Sequence, residues 1–293
     1  MARDQRAHIP SGLPEDPQRL LSIATGLLDG VSAYFRDNVG APGHVMKGPQ
    51  DFATAVDLEI ERRLGRGLLE RTGIPVHGEE FGGPMLDSGT VWVLDPVDGT
   101  FNYSSGLPIA GVLLSLIHDG VPILGMTWLP LVGQRFAAAI DGPVFANGEP
   151  LPPLSRAPLS DSVIGLGALN LEGRGRYPGR YRIEALGQLS SRVSRLRMHG
   201  STGADLAFTA AGILGAAVGF GDHPWDNAAG VALVRAAGGV VSDLAGNEWD
   251  IRSPSVVVGA PGVHEEMLEV FLDLGDPEDY LPEIAEEPET ELT

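Results

Sequence analysis

A short stretch around residue 95 carries two carboxylates in a pattern that suits metal chemistry. Asp95 and Asp98 follow an apolar run, stand three positions apart and enclose Pro96 and Val97. In α/β proteins, reactive groups are commonly placed at strand ends, and carboxylates this close repel one another unless a hard cation lies among them. Because Pro96 stiffens the turn, both carboxylates and the Val97 carbonyl could face one ion. The pattern predicts a divalent-cation site.

Gly99 and Thr100 follow directly and add an anion-binding feature. A glycine lets the backbone approach a ligand closely, and the amides of Gly99 and Thr100 are placed to open a short helix. Free amides at a helix N-terminus favour anions such as phosphate. A metal site that adjoins a phosphate site is what phosphoryl chemistry requires.

Two further acidic segments are candidates to complete the ligand set. Glu79 and Glu80 follow a short β-rich run, and Asp226 lies at the start of a predicted helix. Taken singly, Asp226 is typical of a helix cap, and the glutamate pair is typical of an exposed surface. Only their combination with Asp95 and Asp98 makes them candidate ligands.

This combination resembles the inositol monophosphatase family of magnesium-dependent phosphatases, and most of all its mycobacterial inositol-1-monophosphatases. The resemblance extends from about residue 17 to residue 275. It is carried, in the family's order and spacing, by segments 51–57 (D-x-x-T-x-x-D), 78–80, 92–100, 200–205 and 225–230. It implies an α+β half followed by an α/β half, arranged as the layered αβαβα sandwich of the inositol monophosphatase and fructose-1,6-bisphosphatase type.

The resemblance also implies metal ligands and catalytic residues. Two to three Mg²⁺ ions are implied, with Glu79 also reaching a third, loosely held ion. The first ion would be held by Glu79, Asp95 and the Val97 carbonyl. The second would be held by Asp95, Asp98 and Asp226. Thr100, oriented by Asp57, would help to position the attacking water.

The substrate-binding residues follow from the same resemblance. The amides of Gly99 and Thr100 would hold the phosphate, beside Asp98 and Asp226. Gly200, Ser201 and Thr202 would line the inositol side. One position departs from the family, because Gly219 stands where an acidic residue commonly binds inositol hydroxyls. The resemblance implies hydrolysis of inositol 1-phosphate as the expected reaction. Because of the departure at Gly219, histidinol phosphate, a bisphosphorylated nucleotide and fructose bisphosphate remain alternative substrates.

Two other classes of protein fit less well. A haloacid-dehalogenase-type phosphatase ends a strand with D-x-D-G-T and uses its first aspartate as the nucleophile, but Pro96 occupies that position here. A non-catalytic metal-binding or interaction protein on the same fold would not need Thr100 and Asp57 beside all four metal carboxylates.

Composition restricts the partners. The chain of 293 residues has 20 Lys and Arg against 39 Asp and Glu, a formal net charge of −19. Such a surface argues against nucleic acid and anionic membranes, because both need a basic footprint. The chain has no cysteine, which excludes disulfides and thiolate nucleophiles. With no signal-peptide pattern at the N-terminus, a cytoplasmic location is expected, and the family resemblance implies a homodimer that acts on a small-molecule phosphate ester.

Periodicity divides the chain into four segments. Residues 1–15 are predicted to be disordered, 16–152 to form an α+β metal- and phosphate-binding domain, 153–275 to form an α/β substrate-side domain, and 276–293 to be an acidic disordered tail. A helix beginning near residue 55 has apolar residues at every fourth position. Its charged residues, Glu61 among them, are predicted to be solvated.

Overall fold

Seven α-helices and fourteen strands lie within residues 15–48, 51–173 and 175–281, the parts of the chain that the computed structural model describes. The helices are α1 Pro17–Asp37, α2 Ala55–Thr72, α3 Thr100–Ser105, α4 Gly179–Ser190, α5 Thr202–Ala210, α6 Pro224–Ala236 and α7 Val263–Asp273. The first nine strands are β1 Gly43–Gly48, β2 Asp51–Thr54, β3 Val76–Gly78, β4 Thr90–Asp98, β5 Gly111–His118, β6 Val121–Leu129, β7 Gln134–Ala139, β8 Phe145–Ala146 and β9 Glu149–Pro150. The other five are β10 Val163–Leu166, β11 Arg195–Arg197, β12 Ala216–Gly219, β13 Val240–Ser242 and β14 Val256–Gly259.

The strands form two large sheets and one hairpin. The first sheet has seven strands in the sequential order β3 to β9, and only its β3–β4 pair is parallel. The second has five strands in the order β11-β10-β12-β14-β13, of which β11, β10 and β12 run parallel. Strands β1 and β2 pair with each other as a separate antiparallel hairpin.

Helices cover the sheets in three layers. Helices α1 and α2 pack on one face of the seven-stranded sheet, while α5 and α6 lie between the two sheets and contact both. Helices α4 and α7 cover the outer face of the five-stranded sheet. The resulting order is helix, sheet, helix, sheet, helix, which confirms the αβαβα sandwich implied by the resemblance.

Local sequence explains why the first helix begins where it does. Asp16 caps α1, because its side chain accepts a hydrogen bond of 3.0 Å from the backbone N–H of Gln18. Pro17 occupies the first helical position, where the missing N–H costs nothing. Leu20, Ala24 and Phe35 then face the sheet and are fully buried. No helix within the described ranges combines the length and the apolar character of a membrane span.

The beginning of the predicted tail is ordered, contrary to the expectation from composition. Residues Pro277–Tyr280 form a 3-10 helix that Asp276 caps. The Tyr280 ring packs edge-on against Tyr181 at 5.3 Å, and its hydroxyl donates to the Leu274 carbonyl. Composition indicated disorder here because the segment is rich in acidic residues. Composition alone does not show that one aromatic residue, Tyr280, can pack against the folded part of the chain. Residues 1–14 and 282–293, predicted to be disordered, lie outside the described residues.

We expect Tyr280→Ala to lower the free energy of unfolding by about 1 kcal/mol, because an aromatic pair and a hydrogen bond are lost together. Asp279→Ala, which changes an exposed neighbour in the same turn, is the matched control and should have little effect. Urea unfolding of the three proteins measures both changes. Equal stability of wild type and Tyr280→Ala would show that the 3-10 helix does not contribute.

Candidate active site

The two central carboxylates are placed by an irregularity in β4. Asp95 pairs with Leu113 of β5, but Asp98 pairs with Gly111, so β4 has one extra residue between them. Such a bulge redirects the side chains around it. Proline has no N–H to donate to the neighbouring strand, and the side chain of Asp95 instead accepts from the backbone N–H of Val97 at 2.9 Å. The irregularity that Pro96 introduces therefore sets the direction of Asp95.

Asp95 lies at the centre of the acidic site. Its side chain is buried, and burial raises its pKa well above the usual value, with further increases from the charges of Glu79, Asp98 and Asp226 in that order. All four predicted carboxylate ligands therefore influence one another at short range. Buried like charges are costly without a compensating cation, so the site favours binding of positive charge.

Asp98 connects the two halves of the chain. Its Oδ2 accepts a hydrogen bond from the Ser201 hydroxyl and one of 3.0 Å from the backbone N–H of Gly203. Burial raises the pKa of Asp98 to about 7, and the nearby charge of Asp205 adds to the increase, whereas the hydrogen bonds from the 201–204 segment oppose it. Gly203 is required here, because a Cβ would lie 2.2 Å from Leu113.

Glu79 is paired with a lysine that the sequence did not indicate. Lys47, on the β1–β2 hairpin, places its Nζ 2.6 Å from Glu79 Oε1 and 2.7 Å from Glu80 Oε1. Burial lowers the pKa of Lys47, but the two glutamates outweigh that effect and raise it above its usual value. The ammonium group shows that a cation beside Glu79 is favourable.

Glu61 was predicted to lie on a solvated helix face, and that prediction is wrong. The side chain is 4% exposed and accepts the backbone N–H groups of Glu80 and Phe81, each at 2.8 Å. Burial raises its pKa to about 7 even though both hydrogen bonds favour the charged form. Glu61 thus holds the backbone directly after Glu79, and Gly78 leaves room for it, since a Cβ there would lie 1.9 Å from Glu61 Oε1.

Asp57 and Thr100 have separate partners. Asp57 forms a capping box with Thr54, whose hydroxyl lies 2.5 Å from Asp57 Oδ2, and burial raises the pKa of Asp57 to about 6. The Thr100 hydroxyl donates to the Val97 carbonyl at 2.9 Å. Within the described residues no hydrogen bond joins Asp57 to Thr100, so the implied orientation of Thr100 by Asp57 stays a prediction. Gly99 has a φ of +79° and precedes α3, as predicted.

The predicted alcohol-side residues line a cavity of about 130 Å³ that reaches Asp98. Gly200, Ser201 and Thr202 form one wall, and Ser201 also caps α5. Gly167 and Ala168, which follow β10, also line the cavity. Sequence reasoning missed these two residues, because the end of β10 comes near Asp98 only through the packing of the sheets.

The structure shows the local surroundings of Asp226, which lies near the start of a helix as predicted, and of Gly219. Asp226 lies in the first turn of α6, whereas His223 is the cap residue. Gly219 lies within β12, where a Cβ would approach Val256 Cγ1 to 3.0 Å, so a larger residue has little room. The side chain of Asp222, three residues after Gly219, is 69% exposed, and its carboxylate lies 3.7 Å from His223 Nδ1.

The half-buried His199 and the buried Asp205 form a pair beside the cavity. His199 Nδ1 lies 2.5 Å from Asp205 Oδ1, and the Asn102 side chain donates to the His199 carbonyl. This hydrogen bond raises the pKa of His199, and burial raises the pKa of Asp205. The sequence offered no signal for the pair beyond the spacing of six residues.

Both groups bind protons more tightly in the folded state, so the free energy of unfolding should fall as pH rises. The contribution of His199 is fully present below its unfolded pKa, about 6.5, and is lost as pH passes its raised folded value. We expect His199→Gln to be about 1 kcal/mol less stable than wild type near pH 6 and equally stable near pH 9. Urea unfolding at both pH values, with the exposed His223→Gln as control, checks this. A difference that does not vary with pH would contradict it.

The donor set fits a hard divalent cation. All the side chains concerned are carboxylates, the ligands that Mg²⁺ prefers, and their mutual repulsion at Asp95 would be relieved by one. Within the described ranges, no three acidic or histidine side chains are already arranged to hold a single ion. The residues that would hold Mg²⁺ therefore suit the ion by their chemistry and by their proximity to one another, and their side chains do not form a complete coordination sphere.

Comparison with known proteins agrees with this geometry. The sequence profile of the inositol monophosphatase family matches residues 16–274. The inositol-1-monophosphatase ImpA of Mycolicibacterium smegmatis is 56% identical over 91% of this chain and 98% of its own length. The probable inositol 1-monophosphatase ImpA of Mycobacterium tuberculosis is 54% identical over 89% and 97%. The solved structure of the Thermotoga maritima IMPase has a TM-score of 0.79 at 26% identity and covers 90% of this chain and 100% of that one.

Proposed function

Because the chain belongs to the inositol monophosphatase family, we propose that it is a Mg²⁺-dependent phosphomonoesterase that hydrolyses inositol 1-phosphate to inositol and phosphate. The observation that carries the proposal is the buried carboxylate of Asp95, which interacts with three other acids. A cluster of this kind is unstable without cations and is suited to a reaction that needs them.

The proposed ligands are Glu79, Asp95 and the Val97 carbonyl for one ion, and Asp95, Asp98 and Asp226 for another. When bound, such ions lower the pKa of water and stabilise negative charge on the transferred phosphoryl group and the leaving oxygen. A third ion near Glu79 would compete with the Lys47 ammonium for the same carboxylate oxygen.

The chain's own residues would orient the substrate. We assign the phosphate to the backbone amides of Gly99 and Thr100, beside Asp98 and Asp226. The Thr100 hydroxyl donates its hydrogen to the Val97 carbonyl, which leaves its oxygen lone pairs available to accept a hydrogen bond from the attacking water. Asp57 remains the proposed orienting group. The alcohol would occupy the cavity beside Gly200, Ser201 and Thr202, with no carboxylate at Gly219.

A substrate panel tests the proposal. Phosphate release would be measured with and without Mg²⁺ for inositol 1-phosphate, histidinol phosphate, fructose 1,6-bisphosphate and adenosine 3′,5′-bisphosphate. We expect Mg²⁺-dependent turnover, with inositol 1-phosphate among the best substrates. Turnover in excess EDTA, or no hydrolysis of inositol 1-phosphate in Mg²⁺, would contradict the proposal.

Assembly and location remain predictions from the sequence. A homodimer in the cytoplasm is proposed, and light scattering coupled to size-exclusion chromatography would show a mass of about twice 30.8 kDa for the dimer.

A further inference from the structure

Three parallel strands end at the same edge of the five-stranded sheet. Strands β11, β10 and β12 are neighbours and run in one direction. The residues that follow them are 198–202, 167–170 and 220–223, and members of the first two groups (residues 200–202 and 167–168) line the cavity at Asp98. Ligands of α/β proteins bind outside the carboxyl ends of parallel strands, so this edge faces the alcohol portion of the substrate.

Arg182, from helix α4, connects two of these strand ends. Its Nη1 donates to the Ala168 carbonyl at 2.9 Å, and its Nε donates to the Tyr177 carbonyl at 2.8 Å. The guanidinium carbon lies 4.6 Å from the centre of the Phe220 ring. Ala168 is a wall residue of the cavity, and Phe220 is the first residue after β12. The positive charge therefore lies within hydrogen-bond distance of a wall residue of the cavity.

This cation has no acidic partner within the described ranges. No carboxylate lies within ion-pair distance of Arg182, and its Nη2 is neither hydrogen-bonded there nor fully buried. Burial lowers the pKa of Arg182, but an arginine remains charged at neutral pH. In a chain with a net charge of −19, a half-buried arginine facing only carbonyls and a ring retains unused capacity to bind an anion.

We propose that Arg182 is a specificity-determining residue that binds a second anionic group on the alcohol portion of the substrate. The inference rests on the proposed phosphatase function, and it adds a substrate class: phosphomonoesters whose alcohol carries another phosphate or a carboxylate. Guanidinium pairs well with both oxyanions. An alcohol that bears a positive charge, such as histidinol, is disfavoured by the same residue.

Matched substrates isolate the second anion. Fructose 1,6-bisphosphate differs from fructose 1-phosphate by one phosphate, and 3-phosphoglycerate differs from glycerol 3-phosphate by one carboxylate. We expect wild-type kcat/KM to be at least about ten-fold higher for the member with the extra anion. Arg182→Gln should raise KM about ten-fold for that member alone, with kcat nearly unchanged, and R182K should restore part of the preference. R180Q, which changes an exposed arginine of the same helix, is the control.

The outcomes separate the roles. If Arg182 only tethers the 168–177 loop, R182Q will affect both members of each pair equally, which overturns the proposal. If the wild-type kcat/KM for the member with the extra anion is equal to or lower than that for its partner in both pairs, the proposal is overturned whether or not R182Q folds. A preference in only one pair identifies the anion as phosphate or as carboxylate. If the enzyme hydrolyses inositol 1-phosphate but a second anion has no effect, only this inference is rejected. If the enzyme shows an Arg182-dependent preference but does not hydrolyse inositol 1-phosphate, only the proposed substrate is rejected.

Discussion

Asp95→Asn is expected to reduce turnover to less than a tenth of the wild-type value at saturating Mg²⁺, which corresponds to an increase of more than about 1.4 kcal/mol in the activation barrier. The reason is that Asp95 is the buried carboxylate on which the charges of Glu79, Asp98 and Asp226 converge. A neutral amide would remove the proposed bridging ligand of two ions at once. Steady-state phosphate release over a Mg²⁺ titration measures the effect.

The same variant should not be less stable than wild type. Removing one charge from a buried acidic cluster relieves repulsion, so the melting temperature in EDTA should stay the same or rise. Asp222→Asn, which neutralises an exposed carboxylate, is the control and should retain activity. Retention of more than a tenth of wild-type turnover by Asp95→Asn would refute the bridging role.

Gly78→Ala is expected to cost at least about 2 kcal/mol of stability and most of the activity. A Cβ at this position would lie 1.9 Å from Glu61 Oε1, and Glu61 is buried and held by two backbone N–H groups, so it has nowhere to move. Displacing Glu61 would also displace the backbone that carries Glu79, and with it a proposed metal ligand.

Gly65→Ala provides a matched comparison. Gly65 lies in helix α2, as Glu61 does, and a Cβ there meets nothing within 4 Å. Alanine should therefore stabilise the helix by about 0.5–1 kcal/mol. Urea unfolding and phosphate release of both variants test the pair. Wild-type behaviour of Gly78→Ala would mean that the Glu61 contact is not maintained in solution.

The residues that local spacing identified share one property, which is that they lie near one another in the chain, whereas Asp57 and the 200–202 segment were implied only by the family resemblance. Asp95, Asp98, Gly99 and Thr100 are close in the chain, so spacing alone predicted that their functional groups converge. Their strand was recognisable from its apolar run, and the structure extends β4 over Thr90–Asp98, so that both carboxylates lie within the strand. The division into an α+β half and an α/β half was predicted from the pattern of strand-like and helix-like segments. The layered arrangement of these halves was implied by the family resemblance.

The residues that sequence reasoning missed depend on contacts between distant segments. Glu61 accepts a hydrogen bond from the backbone N–H of Glu80, 19 positions away, and in sequence it is indistinguishable from its partly exposed neighbour Glu59. Lys47 lies 32 positions from Glu79. Arg182 reaches the Ala168 carbonyl across the loop that separates β10 from α4. The periodicity of the sequence cannot predict such contacts between distant residues, because they form only when the layers of the fold pack together.

The helical layer between the two sheets has a consequence for how the protein unfolds. Helix α6 lies against the seven-stranded sheet so closely that a Cβ at Gly125 would come within 2.2 Å of the Ala229 carbonyl. Helix α6 belongs to the second half of the chain. A fragment that ends at residue 152 would therefore lack the helix that covers one face of its seven-stranded sheet. Expressed separately, that fragment would present a bare apolar sheet face and aggregate. The intact chain should instead lose its two sheets in a single cooperative transition.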